Sequence, residues 1–311
     1  MDNLAGATTI AESLEVTRGA ALDRLSDPGA RATSNRFWRR LKREKKAVLG
    51  LCLIGLLALL AIVGPLIAPY HPDADDFGTL QPPTLDHPMG TDSFGRDLFS
   101  RMIIGTRISF SVGILSAAAA MVVGTLLGLL AGYYGGWVDS LISRAVDLLW
   151  AFPVIILAVA LVAIFGAGFR NVILAIAVAY VDDFARIVRA EVLSLREEDF
   201  ATAARAIGST DRRVMLRHIL PNMVAPIIVQ VTFAVGLGIL SESTLTFLGL
   251  GVNPATPTWG LSLNEGREFI RQAWWISVFP GLAIVFTVLG LNLFGDGLRD
   301  AFDVRGVGDA A

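Results

Sequence analysis

The chain has 311 residues, 54% hydrophobic and only 17% charged, which is too apolar and too poor in charge for an ordinary soluble domain of this length. A formal net charge of −2 gives no reason to expect a nucleic-acid partner; membrane lipid is the expected surrounding. The apolar residues stand in long blocks, and a bilayer core asks for about 20 of them per helix, so the expected fold is all-α and polytopic, with about six transmembrane helices.

Residues Met1 to Asn35 are polar and mildly acidic and lie too far ahead of the basic cluster to be the n-region of a cleaved signal. Segment 1–46 is therefore expected to be a disordered cytoplasmic tail ending in a basic juxtamembrane stretch of Arg36, Arg39, Arg40, Lys42, Arg43, Lys45 and Lys46, held inside by the positive-inside rule. The first span is predicted from Ala47 to Tyr70. Its Cys52 is the only cysteine, so no intrachain disulfide is possible, and the thiol is expected to be a small buried hydrophobe. The rest of region 47–106 carries Pro69, Pro72, Pro82, Pro83 and Pro88 with Asp73, Asp75, Asp76 and Asp86, an external loop that cannot cross lipid.

Region 107–297 reads as the membrane core. The second span, Ile108 to Gly132, is rich in small residues (Gly113, Ala117 to Ala120, Gly124, Gly128) that let helices approach closely. A third span from Ala145 to Phe165 is predicted to kink at Pro153. The fourth runs from Val172 through Val188 and carries Asp182, Asp183, Arg186 and Arg189, with Asp182 and Arg186 at the i, i+4 spacing of a helix ion pair. These charges mark either a cytoplasmic helix end or part of a solute path. The fifth span is Met223 to Leu248 and the sixth Ile276 to Phe294, with 298–311 a cytoplasmic tail. Six crossings from an inside start place both termini and the arginine-rich segment 191–221 inside.

The composition leaves little room for catalysis. Every lysine lies at or before Lys46, so no phosphate loop of the G-x-x-x-x-G-K-[ST] kind exists and the chain is not itself an ATPase. His71, His87 and His218 are scattered, so no catalytic set, cofactor site or metal cluster is expected. Segment 194–221 reads SLREEDFATAARAIGSTDRRVMLRHILP. It divides at Gly208 into two helical stretches, the first with Ala203, Ala204 and Ala206 suited to close packing. The second is capped by Ser209 or Thr210 with Asp211 in its first turn, and Pro221 marks the boundary before the next span. A helix, hinge and helix at the membrane surface is rigid enough to transmit a push; the alternative is a basic amphipathic helix lying on lipid.

The pattern of Ala203, Ala204 and Gly208, followed by Leu220 and Pro221, resembles the EAA loop of ABC importer permeases, although Thr202 stands where that family usually has Glu and His218 where it often has Ile. Three further stretches resemble the C-type permeases of the dipeptide, oligopeptide and nickel importers. They are His87 to Asp92 with Gly95 to Asp97, Ser100, Arg101, Gly105 and Arg107 to Ser109; Glu242, Ser243 and Phe247 to Gly251 with Pro257 to Gly260; and Gly295 to Asp300, with Val304 in place of a frequent proline. The likeness runs from about Phe37 to Arg305.

The resemblance implies a type I importer fold and a non-catalytic subunit of a bacterial inner-membrane transporter. The implied partners are a homologous B-type permease, two ATP-binding subunits that bind ATP and Mg, and an external solute-binding protein. It implies a coupling helix that includes Ala203, Ala204, Arg205, Gly208, Ser209, Leu220 and Pro221, so that charge at Ala204 or disruption of Gly208 is expected to uncouple hydrolysis from uptake. Peptides are the expected solute, with nickel or another small solute as the alternative. A self-contained carrier, or a membrane assembly protein without a path, are the competing classes.

Single residues carry further expectations. Glu242 inside an apolar span costs about 2.5 to 3.5 kcal/mol unless paired or wetted, so it faces the pathway or joins a structural hydrogen-bond network. Arg96, Asp97 and Arg101 are expected on a salt-bridged external helix that orients the second span, or on a contact with the solute-binding protein. Trp259, Trp274 and Trp275 read as interface anchors, with solute reception the other possibility.

Overall fold

The computed structural model describes residues 39–253 and 255–302, so the expected tail through Phe37, the basic Arg36 and Val304 lie outside the described residues. Two units are distinguished, 1–44 and 45–311; the described part of the first is a short helix over 39–43 closed by the Glu44 amide donating to the Arg40 carbonyl at 3.0 Å. In the second, the described elements are helical apart from one isolated bridge between Thr91 and Asp97.

Helix α1 (Lys45–Ile67) turns Leu56, Leu59, Ile62 and Leu66 outward and buries only Ala47, Gly50 and Gly64, the pattern of a helix bathed in lipid on most sides. Cys52 is on its exposed face and not buried within the protein as expected, because the inner stripe of α1 is taken by the small residues. Helix α2 (Leu98–Tyr134) begins ten residues before the predicted span, since Asp97 caps it by accepting from the Ser100 amide at 2.8 Å. Its glycines do what the sequence predicts: a Cβ at Gly128 would lie 2.5 Å from the Ala185 carbonyl oxygen.

The predicted third span is two helices, α3 (Gly136–Trp150) and α4 (Val154–Phe165), bent by 91°. Pro153 sits extended at the α4 N-cap, φ −55° and ψ 129°, and drives the preceding Phe152 out of helical geometry, so the chain breaks where a kink is predicted. The fourth span is also divided, into α5 (Phe169–Ala179) and α6 (Val181–Leu195), at Tyr180, whose hydroxyl is 3.0 Å from Ser241 Oγ. Arg186 does not pair with Asp182. It reaches Asp147 on α3 at 3.0 Å and lies over the Trp150 ring at 4.3 Å, because the stacked, inter-helix arrangement gives the guanidinium an apolar face as well as a counter-charge.

After α7 (Asp199–Ala206) the chain enters a helical turn at Asp211–Arg213, a π segment at Val214–Ile219 and a 3-10 turn at Leu220–Met223, and continues as α8 (Val224–Phe247). Helix α9 (Trp259–Gly266) lies between the predicted fifth and sixth spans, and α10 (Trp275–Phe302) outruns the expected sixth span by eight residues. The Gly-Asp-Gly of 295–297 is therefore helical: a Cβ on Gly295 would meet Thr232 Oγ1 of α8 at 2.3 Å and one on Gly297 would meet Ala47 Cβ of α1 at 2.3 Å. These glycines pack α10 against two neighbours at once. Among the described residues four segments, α1, α2, Asp211–Phe247 and α10, are long and apolar enough to cross a membrane, and the bent α3–α4 pair is a fifth if its two halves make one span. Of the six expected spans, the fourth is not among them, because its halves α5 and α6 are each shorter than a crossing needs.

The segment between α1 and α2 folds as a cap. Asp92, with no exposure, accepts from the Phe94 and Arg96 amides and from Arg96 Nε, and Arg96 also donates to Glu265 of α9 at 2.8 Å. Asp97 accepts from Ser100 Oγ at 2.7 Å and from His87 Nδ1 at 2.9 Å, and Arg101, 1% exposed, donates to the Pro72 carbonyl. The expected surface ion pairs are thus a buried network, formed because the loop folds back over the α2 N-terminus. Burial pushes the Glu265 carboxyl above the usual range, opposed by Arg96 and Arg101. Trp259 and Trp275 are buried as well, their indoles donating to the carbonyls of Met102 and Thr91 at 3.2 and 3.1 Å; of the three expected anchors only Trp274, half exposed, faces outward.

Candidate functional site

The elbow between α6 and α8 is organised by Gly208. Helix α7 ends with the Gly208 amide donating to the Arg205 carbonyl at 2.9 Å and the Ser209 amide reaching back to Ala204 at 3.0 Å, the paired bonds of a Schellman stop. Gly208 holds φ at +83°, and nothing lies within 4 Å of where its Cβ would be, so the glycine is needed for backbone conformation and not for space. Thr210 then takes the N-cap position, but neither it nor Ser209 forms the predicted side-chain cap. Asp211 is held instead by the Tyr133 hydroxyl at 2.8 Å.

Pro221 does not end the second limb. It enters the 3-10 turn at its start, and the Leu220 amide donates to Met215, five residues back. A proline ring crowds the carbonyl four residues earlier, and the helix accommodates it by changing its winding over Val214–Met223, the kind of π insertion that often accompanies function.

Under the elbow lies a small core of Leu129, Val188, Val192, Ala201, Ala204, Val214, Met215, Ile219, Met223 and Ile227, with Leu220 against it. Ala204 therefore faces inward, 4% exposed, whereas Ala203, Arg205, Gly208 and Pro221 are exposed and Ser209 is half-buried. Of the sequence-predicted set, Ala204 and Leu220 build the support while the others form the outer surface. Thr202 accepts from the Arg205 guanidinium at 3.1 Å, which also donates to the Arg196 carbonyl, and Arg196 ties the first limb to the Gly132 carbonyl at 2.8 Å. Sequence reasoning missed Ile207, 84% exposed at the tip; its only signal was an aliphatic residue between a helix end and a glycine. Tyr133 and Arg196 left no signal.

Glu242 is wholly buried on α8. It accepts from Ser109 of α2 at 3.2 Å, from Thr246 at 2.9 Å and from Ser243 at 3.4 Å, so it sits in an inter-helix network of hydroxyls. Helix α9 covers this network at close range, since a Cβ on Gly260 would lie 2.7 Å from the Ser243 backbone. Among the described residues no group of three or more His, Cys, Asp or Glu is placed to hold a metal.

The inner-membrane component of binding-protein-dependent transport systems matches residues 124–305, and the N-terminal transmembrane domain of oligopeptide transport permease C matches 34–83. The chain is 47% identical to the dipeptide transport system permease protein DppC of Alkalihalophilus pseudofirmus over 86% of its length and 88% of that protein. It is 44% identical to the glutathione transport system permease protein GsiD of Pectobacterium atrosepticum over 92% of its length and 96% of that protein. A solved structure of the MetNI methionine ABC transporter in inward-facing conformations superposes with a TM-score of 0.53 at 18% identity, covering 64% of this chain and 95% of the other, a likeness of fold. With an all-helical polytopic fold of the type I importer kind and both family matches in sequence order, the chain belongs to the inner-membrane permease components of binding-protein-dependent ABC importers, in the C-type branch.

Proposed function

We propose that this chain forms half of the pathway of an ATP-driven importer of short peptides, pairing with a homologous B-type permease, two ATP-binding subunits and an external solute-binding protein. Both termini and the elbow face the cytoplasm, and the cap and α9 face outward. The observation that carries the reading is the elbow: a rigid two-limbed projection, stopped by Gly208, that sets an unpartnered Ile207 on a surface with Ala203 and Arg205. A highly exposed aliphatic at the tip of an internally braced projection suits insertion into a partner's cleft.

Closure of the ATP-binding subunits moves the elbow as a lever. Because its core clamps the ends of α2, α6 and α8, those helices tilt with it and exchange inward and outward access. The peptide class rests on the dipeptide and glutathione names of the relatives. Proteoliposomes holding the chain with all its partner subunits should accumulate dialanine or glutathione only with ATP inside the compartment of the elbow and with the binding protein opposite. Uptake by the isolated chain, or an elbow free of any ATPase in the purified assembly, refutes the reading.

A further inference from the structure

Next to the elbow core, α2, α3 and α6 line an open-sided cavity of about 370 Å³, with Gly128, Ala131, Ser143, Asp147, Arg186 and Arg189 among its walls, within the size range of small-ligand sites. The two arginines are used differently. Arg189 gives two nitrogens to Asp139, at 2.5 and 2.7 Å, and that pair is closed. Arg186 gives Asp147 a single bond at 3.0 Å, while its Nε is buried without a hydrogen-bond partner, and Trp150 covers the guanidinium face. Asp147 accepts that one bond and leaves most of its side chain exposed, at 68%. The Nε is thus sealed from the cavity, but the Arg186 side chain is 38% exposed and spends one bond on Asp147. The cavity therefore offers a singly bonded guanidinium edge beside a half-used carboxylate, over a floor of glycine and alanine.

A lone anion there would meet Asp147 and Asp139, and a lone cation would meet Arg186 and Arg189. A ligand with an anionic and an ammonium group close together meets both charges favourably, and the remaining guanidinium N–H groups of Arg186 gain more from a charged acceptor than from a neutral one. We propose that this cavity is a subsite for a zwitterion, Arg186 taking the anionic end and Asp147 the ammonium end. The two sources of that chemistry are a short peptide in transit, which rests on the importer reading above, and the headgroup of phosphatidylethanolamine.

The test places photoreactive benzoylphenylalanine at Ile142, another lining residue, in the full chain assembled with its partners in nanodiscs. One set of discs is phosphatidylglycerol with labelled dialanine added, and the other contains phosphatidylethanolamine without peptide. The expected result is a dialanine adduct in the first set, displaced by excess dialanine but not by dialanine capped at both ends; an ethanolamine-lipid adduct alone assigns the same subsite to the headgroup. Arg186→Lys keeps the positive charge but not the planar guanidinium edge, and Asp147→Asn removes the ammonium's partner; each should lower the adduct about tenfold with unchanged co-purification of the ATPase subunits. Adduct in neither disc, equal displacement by the capped peptide, or full labelling in both variants overturns the subsite. ATP-driven dialanine uptake by the wild-type assembly is scored separately: uptake without any adduct sinks the subsite alone, and absence of uptake sinks the peptide reading.

Discussion

The Tyr133 hydroxyl donates to the Asp211 carboxylate at 2.8 Å, joining the last turn of α2 to the first turn of the elbow's second limb across 78 residues of sequence. With Arg196 bonded to the Gly132 carbonyl beside it, both limbs are tethered to one end of one helix. Tyr133→Phe removes only a partly exposed bond, worth about 0.5 to 1.5 kcal/mol. It should leave the global melting temperature nearly unchanged while hydrogen exchange over 209–215 rises. Unaltered exchange there would show that the limb is held by the elbow core alone.

The elbow separates support from contact, and paired substitutions read the two apart. Ala204→Asp places a charge in the packed core and should destabilise by about 3 to 5 kcal/mol, seen as loss of folded protein in detergent, so charge at this position does not probe docking as the sequence alone suggests. Ile207→Asp changes a side chain that is 84% exposed and should leave the melting curve intact while weakening association with the ATPase subunits by about 30-fold, an anchor's worth of binding. Wild-type association by Ile207→Asp would remove the tip from the interface.

Gly208→Ala forces a side chain into φ +83° and costs about 1 kcal/mol, which loosens the stop between limbs. Uptake per ATP hydrolysed should fall while the ATPase rate is kept or raised. An unchanged ratio would mean that the lever tolerates a soft joint.

What the sequence disclosed depended on whether the deciding partner was near in the chain. The glycine stop at Gly208, the α8 span to within a residue at each end and the small-residue face of α2 are local patterns, and each stands as expected. Asp182 and Arg186 satisfied a local spacing rule, yet Asp147, 39 residues away, gave Arg186 a better partner. Trp259 and Trp275 are equally amphipathic at a lipid interface or in a core with a free carbonyl; the carbonyls that chose the core belong to Met102 and Thr91. Pro153 announced a disturbance, but whether it bends a helix slightly or breaks it at 91° was decided by α6, whose Arg186 and Arg189 hold α3 by Asp147 and Asp139, while α5 packs against α4.

Glu242 joins α2 to α8 through hydroxyls on both sides. Glu242→Ala leaves Ser109 and Thr246 without this acceptor, about 1 to 3 kcal/mol for each left unsatisfied, and should reduce assembled complex markedly. Glu242→Gln keeps the shape and one acceptor, so a smaller loss of stability is expected. If transport fell in the glutamine variant with assembly at wild-type level, the residue would belong to the pathway and not to the scaffold.

Glu265 links stability to pH. Its carboxyl is held above the usual range chiefly by burial, so the folded cap binds that proton more tightly than the unfolded chain does. The stabilisation from this group is fully present below the ordinary carboxylate range and is lost as pH rises through the higher folded value. Arg96 keeps Asp92 as a second partner, so Glu265→Gln should fold, and the variant lacks this titration. Melting followed by tryptophan fluorescence, which reports on buried Trp259 and Trp275, should show wild type gaining on the variant as pH falls from neutral toward the carboxylate range. Parallel melting temperatures across that interval would place the proton-linked stability of the cap elsewhere.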